Sequence, residues 1–330
     1  MAQNEVLENE PSTKRRRTDS SITRSALWLD DGNLVIQAES IQFRVHRSVL
    51  AMHSTVLRDC FAIPQPEEQE IVEGCPVVQF PLDSAADIEN VLCILYKNPE
   101  VYDSQTPISM SQISTMIRLG KKYEFCPMYN EALRRLKQDY PRTLLGWKAI
   151  QGTRSSILHT NSFYFDIVNL AYENNIQFVL PMAFLQICTK YSIKRDHDSD
   201  PSAPVLVPGA LHMCLMGRTT FSSHFFRDLF LGLHKTMPDK TCANIYHCPG
   251  ALRLVSQQFT IWSADAGPIT FPLSWAVIEG EIHKQGKRLC GACTKIAMVQ
   301  FADAQEKFWM RLPETFGLPA WDRLEKENTI

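Results

Sequence analysis

The chain has 330 residues, a length that suggests about two domains. Hydrophobic residues make up 45% and charged residues 21%, so a sizeable core can form and disorder of the whole chain is excluded. The 34 basic and 36 acidic residues leave a formal charge of −2, which excludes a globally basic nucleic-acid binder and a polyacidic chaperone.

The first twenty residues, MAQNEVLENEPSTKRRRTDS, are polar and lack the apolar core of a secretory signal. No apolar run approaches the ~18–20 residues a membrane span needs, so no membrane partner is expected. Together these predict a reducing compartment, nuclear or cytoplasmic, in which the ten cysteines are thiols or metal ligands. Residues 1–24 hold too few apolar side chains to offset the entropy of ordering and are expected to form a disordered tail. Within that tail, Lys14, Arg15, Arg16 and Arg17 form a candidate nuclear-import signal; a solvated charge run is the plainer alternative.

From residue 25 the pattern changes. Ala26-Leu27-Trp28-Leu29 leads into a polar turn, Asp30-Asp31-Gly32-Asn33. Leu34-Val35-Ile36 and the alternating Ile41, Phe43 and Val45 read as two strands of a hairpin. His46 to Leu50 opens a helix, with Val49 and Leu50 facing inward. Ser54 is an N-cap candidate for a second helix carrying Val56, Leu57, Cys60 and Phe61. Pro76 to Pro81 reads as a third short strand after an acidic loop. Three amphipathic helices follow, marked by Ala85 to Tyr96, by Ile113 to Tyr123 and by Tyr129 to Leu136. Strands followed by helices in this order predict an α+β domain, a small sheet capped by helices.

Phe43-x-Val45-His46-Arg47-x-Val49-Leu50, followed by Ser54 and Phe61, resembles the signature of the BTB/POZ domain. The wider stretch from Trp28 to Pro66 is similar to the large BTB/POZ family of mushroom-forming fungi, and Arg118 to Tyr123 fits that family's later helix. The resemblance runs over about a third of the chain and rests on several motifs in the right order. It implies a non-catalytic protein-interaction domain at 25–138, usually self-associating, with a homodimer and other proteins as partners. It also implies a charged pocket lined by an acidic residue at the start of a strand and a basic residue after the histidine. Arg47 fits; Asn33 stands where an Asp is usual, which leaves Asp30 or Asp31 as substitutes. The family's exchanged N-terminal strand is not expected from so polar a tail. Ile71-Val72-Glu73 matches the hydrophobic-x-Glu element of adaptors for cullin-type scaffolds, a short and unspecific string. Phe43, Val45, Val49, Leu50 and Phe61 are in the first place core, and His46 reads as a satisfied structural histidine.

Residues 139–330 read as a mainly α-helical region. Helices are expected from Pro141 to Ile150, over Phe163 to Ala171, from Phe178 to Cys188 with Pro181 in the first turn, over Leu211 to Met216 and over Phe221 to Leu233. Lys194 to Pro201 reads as a solvated loop, and Leu312 to Pro319 with Trp321 as a packed tail.

Cys290-Gly291-Ala292-Cys293 is a C-x-x-C pair, and Cys242 and Cys248 form a looser pair upstream. Four thiolates in a tetrahedron suit structural zinc, although C-x₅-C departs from ordinary finger spacing. A thioredoxin-like redox role lacks the surrounding βαβ pattern. Cys60, Cys93, Cys126, Cys188 and Cys214 are expected to be core. No nucleophile elbow, dinucleotide fingerprint, P-loop or H-E-x-x-H motif is present, so no catalytic residues and no cofactor beyond the candidate zinc are expected. Zinc-finger spacing is also missing and the basic residues are scattered, so no direct nucleic-acid partner is expected. The resemblance, together with the candidate import signal, thus implies a nuclear regulatory or ubiquitin-ligase adaptor protein. A zinc- or redox-dependent protein centred on the C-terminal cysteines is the alternative.

Overall fold

The computed structural model describes residues 22–64, 69–96, 103, 106–191, 204–238, 240–251, 253, 275–284 and 286–324. The chain divides into two compact units, Met1–Lys97 and Asn98–Ile330. Lys14 to Arg17 and the loop from Lys194 to Pro201 lie outside the described residues.

In the first unit, β1 (Thr23–Trp28), β2 (Leu34–Ala38), β3 (Ile41–Val45), β4 (Ile71–Val72) and β5 (Cys75–Gln79) form a sheet in the order β1-β3-β2-β5-β4. The expected hairpin is β2–β3, antiparallel, with Ile36 opposite Phe43 and Ala38 opposite Ile41. Its two-residue turn places Glu39 at a φ of 51°, the left-handed conformation that tight hairpins require. β1 pairs parallel to β3, and β2 parallel to β5. Val35, Ile36, Phe43 and Val45 form the buried centre of the sheet.

Helices follow directly from the sheet. α1 (Arg47–His53) starts where β3 ends, and α2 (Thr55–Ala62) is capped by Ser54, whose hydroxyl accepts the Leu57 N–H at 3.0 Å. α3 (Ala85–Tyr96) packs on β1 and β2 through one face of Ile88, Val91 and Leu92.

Three expectations need correction here. β1 takes in Thr23 and Arg24, two residues expected to be disordered; pairing with β3 supplies order that composition does not reveal. The sheet has two strands beyond the three expected, β1 and the two-residue β4 inside the acidic loop, because strands so short or half-exposed carry no clear alternation. Cys60 is exposed on the outer side of α2 rather than buried, and Cys93 and Cys126 are only half-buried.

The second unit is helical: α4 (Met110–Lys122), α5 (Cys126–Asp139), α6 (Leu144–Ile150), α7 (Phe163–Glu173), α8 (Leu180–Lys190), α9 (Pro208–Thr236), α10 (Trp275–Lys284), α11 (Gly291–Met310), α12 (Leu312–Thr315) and α13 (Trp321–Leu324). α4 opens with a capping box in which Ser109 and Gln112 satisfy each other's backbone N–H groups. α4 packs closely on α5 because Gly120 faces Tyr129, where a Cβ would come within 3.0 Å of the Tyr129 Cβ. The two helices expected over 211–233 are one continuous helix, α9. α10 and α11 were not expected from the sequence.

The C-terminal tail is packed as expected. Trp309 stacks between Trp147 at 5.1 Å and Trp321 at 6.0 Å, and its indole N–H donates to the Arg142 carbonyl at 2.6 Å. No helix among the described residues is long and apolar enough to cross a membrane.

Candidate functional site

The motif residues of the first unit split into core and surface. Phe43, Val45, Leu50 and Phe61 are buried, Val49 and His46 are half-buried, and Asn33 and Arg47 are exposed. His46 caps the junction between β3 and α1. Its backbone N–H donates to the Tyr96 hydroxyl at 2.9 Å, and its Nε2 lies 3.2 Å from the Asp31 carboxylate. Burial raises the Tyr96 pKa; the hydrogen bond from the His46 N–H opposes this and the Asp31 charge adds to it.

Asn33 and Arg47 do meet, but not as a charged pair. The Asn33 Oδ1 accepts the Arg47 backbone N–H at 2.9 Å and so satisfies an orphan donor at the start of α1. The Arg47 guanidinium donates to the Phe61 carbonyl and lies over the Phe61 ring. An exposed arginine needs no buried carboxylate as a partner. Asp31 turns to His46 instead.

Glu73 is held internally. Arg24 pairs with it at 2.6 Å and Arg44 at 3.4 Å, and the Trp28 indole N–H donates to it at 3.3 Å. Its neighbour Ile71 is two-thirds exposed, and Met52 on α1, Ile63 after α2 and Leu82 are also open to solvent. These are large apolar side chains on the outside of a small domain.

The second unit brings together four cysteines that the sequence could only suggest as a set. Cys242 and Cys248 lie on the segment after α9; Cys290 is the N-cap of α11 and Cys293 lies in its first turn. All four sulfurs lie within 4.8 Å of one another, and the Cys242 and Cys290 sulfurs are 3.7 Å apart. Cys248 and Cys293 are buried, while Cys242 and Cys290 are half-buried. The Asn244 N–H donates to the Cys242 sulfur and the Cys290 N–H to the Cys248 sulfur, each at 3.4 Å. Backbone N–H groups of Cys293 and Ala243 aimed at the Cys290 sulfur lower its pKa to about 6. Burial pushes the Cys248 thiol the other way. This cluster can hold a metal ion.

Elsewhere in the second unit, a cavity of about 260 Å³ is lined by Asp139, Trp147, His159, Phe163, Tyr164 and Lys190, among others. Asp139 is occupied by the Ser155 hydroxyl at 2.6 Å and the Ser156 N–H, and His159 stacks on Phe163 at 3.9 Å. Burial lowers the His159 pKa. Cys188 on α8 and Cys214 on α9 are fully buried with sulfurs 3.6 Å apart, a thiol pair inside a helix–helix interface.

Residues 30–139 match the family model of the BTB/POZ domain. No curated protein and no solved structure matches the chain. The N-terminal region is thus a BTB/POZ domain with a small curled sheet and helices, followed by a mostly helical region. That domain is a protein-interaction module and is generally non-enzymatic.

Proposed function

We propose that this chain is a non-enzymatic protein-interaction protein. In this reading the BTB/POZ domain self-associates or recruits a partner, and the helical region positions a second one. The carrying observation is the family match over 30–139. The exposed Met52, Ile63, Ile71 and Leu82 add apolar surface that association would cover. Within the same proposal, the output is nuclear regulation or delivery of a substrate to a ubiquitin ligase. Lys14 to Arg17 would serve import, and BTB dimerisation would present two copies of the helical region. A cullin-type scaffold docking at Ile71-Val72-Glu73 would meet Ile71 first, because Glu73 is already held by Arg24 and Arg44. Affinity capture with the full chain, compared with Met52→Asp and Ile71→Asp variants, tests the interaction reading. Recovery of the same partners by all three chains contradicts the proposed surface.

A second reading concerns the four cysteines and is independent of the first. We infer that Cys242, Cys248, Cys290 and Cys293 bind a structural zinc ion. The supporting observation is the convergence of four sulfurs from two distant segments. Metal analysis of the purified full chain tests it: about one zinc ion per chain supports the reading, and a metal-free, folded protein rejects it.

A further inference from the structure

Resting on that zinc-binding reading, we propose that the ion is a closed, four-thiolate clasp that fastens the segment after α9 to the start of α11. It therefore makes the order of this end of the helical unit depend on metal. The inference begins with the two helices. Asp228 of α9 pairs with Arg311, just after α11, and Gly232 faces Gln300 within α11. As the chain advances along α9, its partners retreat along α11, so the two helices run antiparallel and pack on each other. The C-terminal end of α9 and the N-terminal end of α11 are then the same end of the pair, and the four cysteines gather there. Cys242 follows Thr236 by six positions, and Cys290 caps α11.

The geometry of the sulfurs suits one tetrahedral ion. A Zn–S bond of about 2.3 Å places sulfurs about 3.8 Å apart along each edge of a tetrahedron. The Cys242–Cys290 edge is 3.7 Å, and no pair exceeds 4.8 Å. A disulfide would bring a pair to about 2.0 Å, and all four residues are free cysteines. The donor set is entirely soft sulfur, which favours zinc over magnesium or calcium. With all four positions taken by protein, no site is left open for water or substrate, which is the arrangement of structural rather than catalytic zinc. Four thiolates around a dication carry a net charge of −2, and the Asn244 and Cys290 N–H groups donate to that sulfur cage at 3.4 Å.

The consequence for folding follows from chain connectivity. Cys248 and Cys290 are 42 positions apart. Without the ion, no coordination bond joins the two segments. With it, the loop is closed covalently in effect, and the binding energy becomes folding energy.

The test uses the full chain, purified without added metal. Metal content and the number of alkylatable thiols are measured first. Hydrogen exchange is then followed residue by residue before and after removal of metal with a strong chelator. The expected result is one zinc ion, released on chelation, with faster exchange at 242–248 and in the first turns of α11 and unchanged exchange in β2, β3 and α3. Cobalt substitution should give the intense visible bands of tetrahedral tetrathiolate coordination. Single Cys→Ser changes at 242, 248, 290 and 293 should each weaken metal retention. Absence of metal, or two disulfides in place of four thiols, overturns the zinc reading itself. A bound zinc ion whose removal leaves exchange at 242–248 and in α11 unchanged overturns the clasp and leaves metal binding standing. A variant that keeps zinc and a tetrahedral cobalt spectrum undiminished overturns four-thiolate closure, and one bound iron in place of zinc overturns the zinc assignment.

Discussion

Glu131 and Arg135, one turn apart on α5, form an ion pair at 2.8 Å in which the arginine side chain is completely buried. The rest of that guanidinium donates to the backbone carbonyls of Asp103, Thr106 and Ser156 at 2.8 to 3.0 Å. One arginine thereby fastens residues 103, 106 and 156 to the C-terminal half of a helix within the BTB/POZ match. The parallel bridge between Ile108 and Ile157 continues the same junction.

Removing one partner of this pair should be costly because the other stays buried. Glu131→Gln or Arg135→Met is expected to destabilise the chain by about 3–5 kcal/mol. Chemical denaturation followed by circular dichroism reads this directly. A loss near zero for both variants would show that the pair contributes nothing.

The same carboxyl gives the stability a sign in pH. Burial tends to raise the Glu131 pKa, but hydrogen bonds and charge from Arg134 and Arg135 outweigh it and hold the value below the ordinary carboxylate range. A group depressed in the folded state stabilises fully above its unfolded pKa and loses that contribution as pH falls through the folded one. Wild type should therefore lose stability on acidification from the ordinary carboxylate range downward, and Glu131→Gln should lose less over the same interval. Melting curves taken in parallel at stepwise lower pH measure the difference; identical slopes would remove this carboxyl from the account.

Ser54 offers a local test of how α2 begins. Its hydroxyl accepts from the Leu57 N–H, and the residue is buried. Ser54→Ala should cost about 1 kcal/mol, while Ser54→Asp should retain most of the cap. Equal stability of the Ala variant and wild type would mean that water replaces the hydroxyl.

Gly217 tests the packing between α9 and the C-terminal tail. A Cβ built there would run into the Phe316 ring. Gly217→Ala is expected to destabilise by about 1–3 kcal/mol through overpacking, despite the better helix propensity of alanine. A stabilised variant would show that the tail moves aside at little cost.

How much of this was readable from the sequence depends on how local the signal is. The β2–β3 hairpin, the Ser54 cap and helices α3 to α8 follow from alternation, capping chemistry and helical spacing within short windows. The Phe43 to Leu50 motif placed the BTB/POZ domain for the same reason. β1 was hidden because an edge strand with an exposed face is defined by its partner, β3. α9 looked like two pieces because Gly217, Thr219 and Thr220 are weak helix formers; packing against Phe316 and α11 overrides that preference. α11 carries no clear apolar period because its buried stripe includes the small or polar Cys293, Ala297, Ala304 and Gln305. The metal candidate was half legible: C-x-x-C is a local pattern, but the C-x₅-C pair becomes informative only when folding brings Cys242 within 3.7 Å of Cys290. Asn33 was misleading as a lost acid, since its role is to cap α1 through the Arg47 N–H.

The central claim is that the N-terminal domain works by association, and the oligomeric state of the full chain tests it most directly. Size-exclusion chromatography with light scattering over a range of concentrations should return twice the 37.7 kDa chain mass, or a stable heteromer when a partner is present, with Met52→Asp shifting the equilibrium toward monomer. A strict monomer at every concentration, with no specific partner captured, would contradict the account.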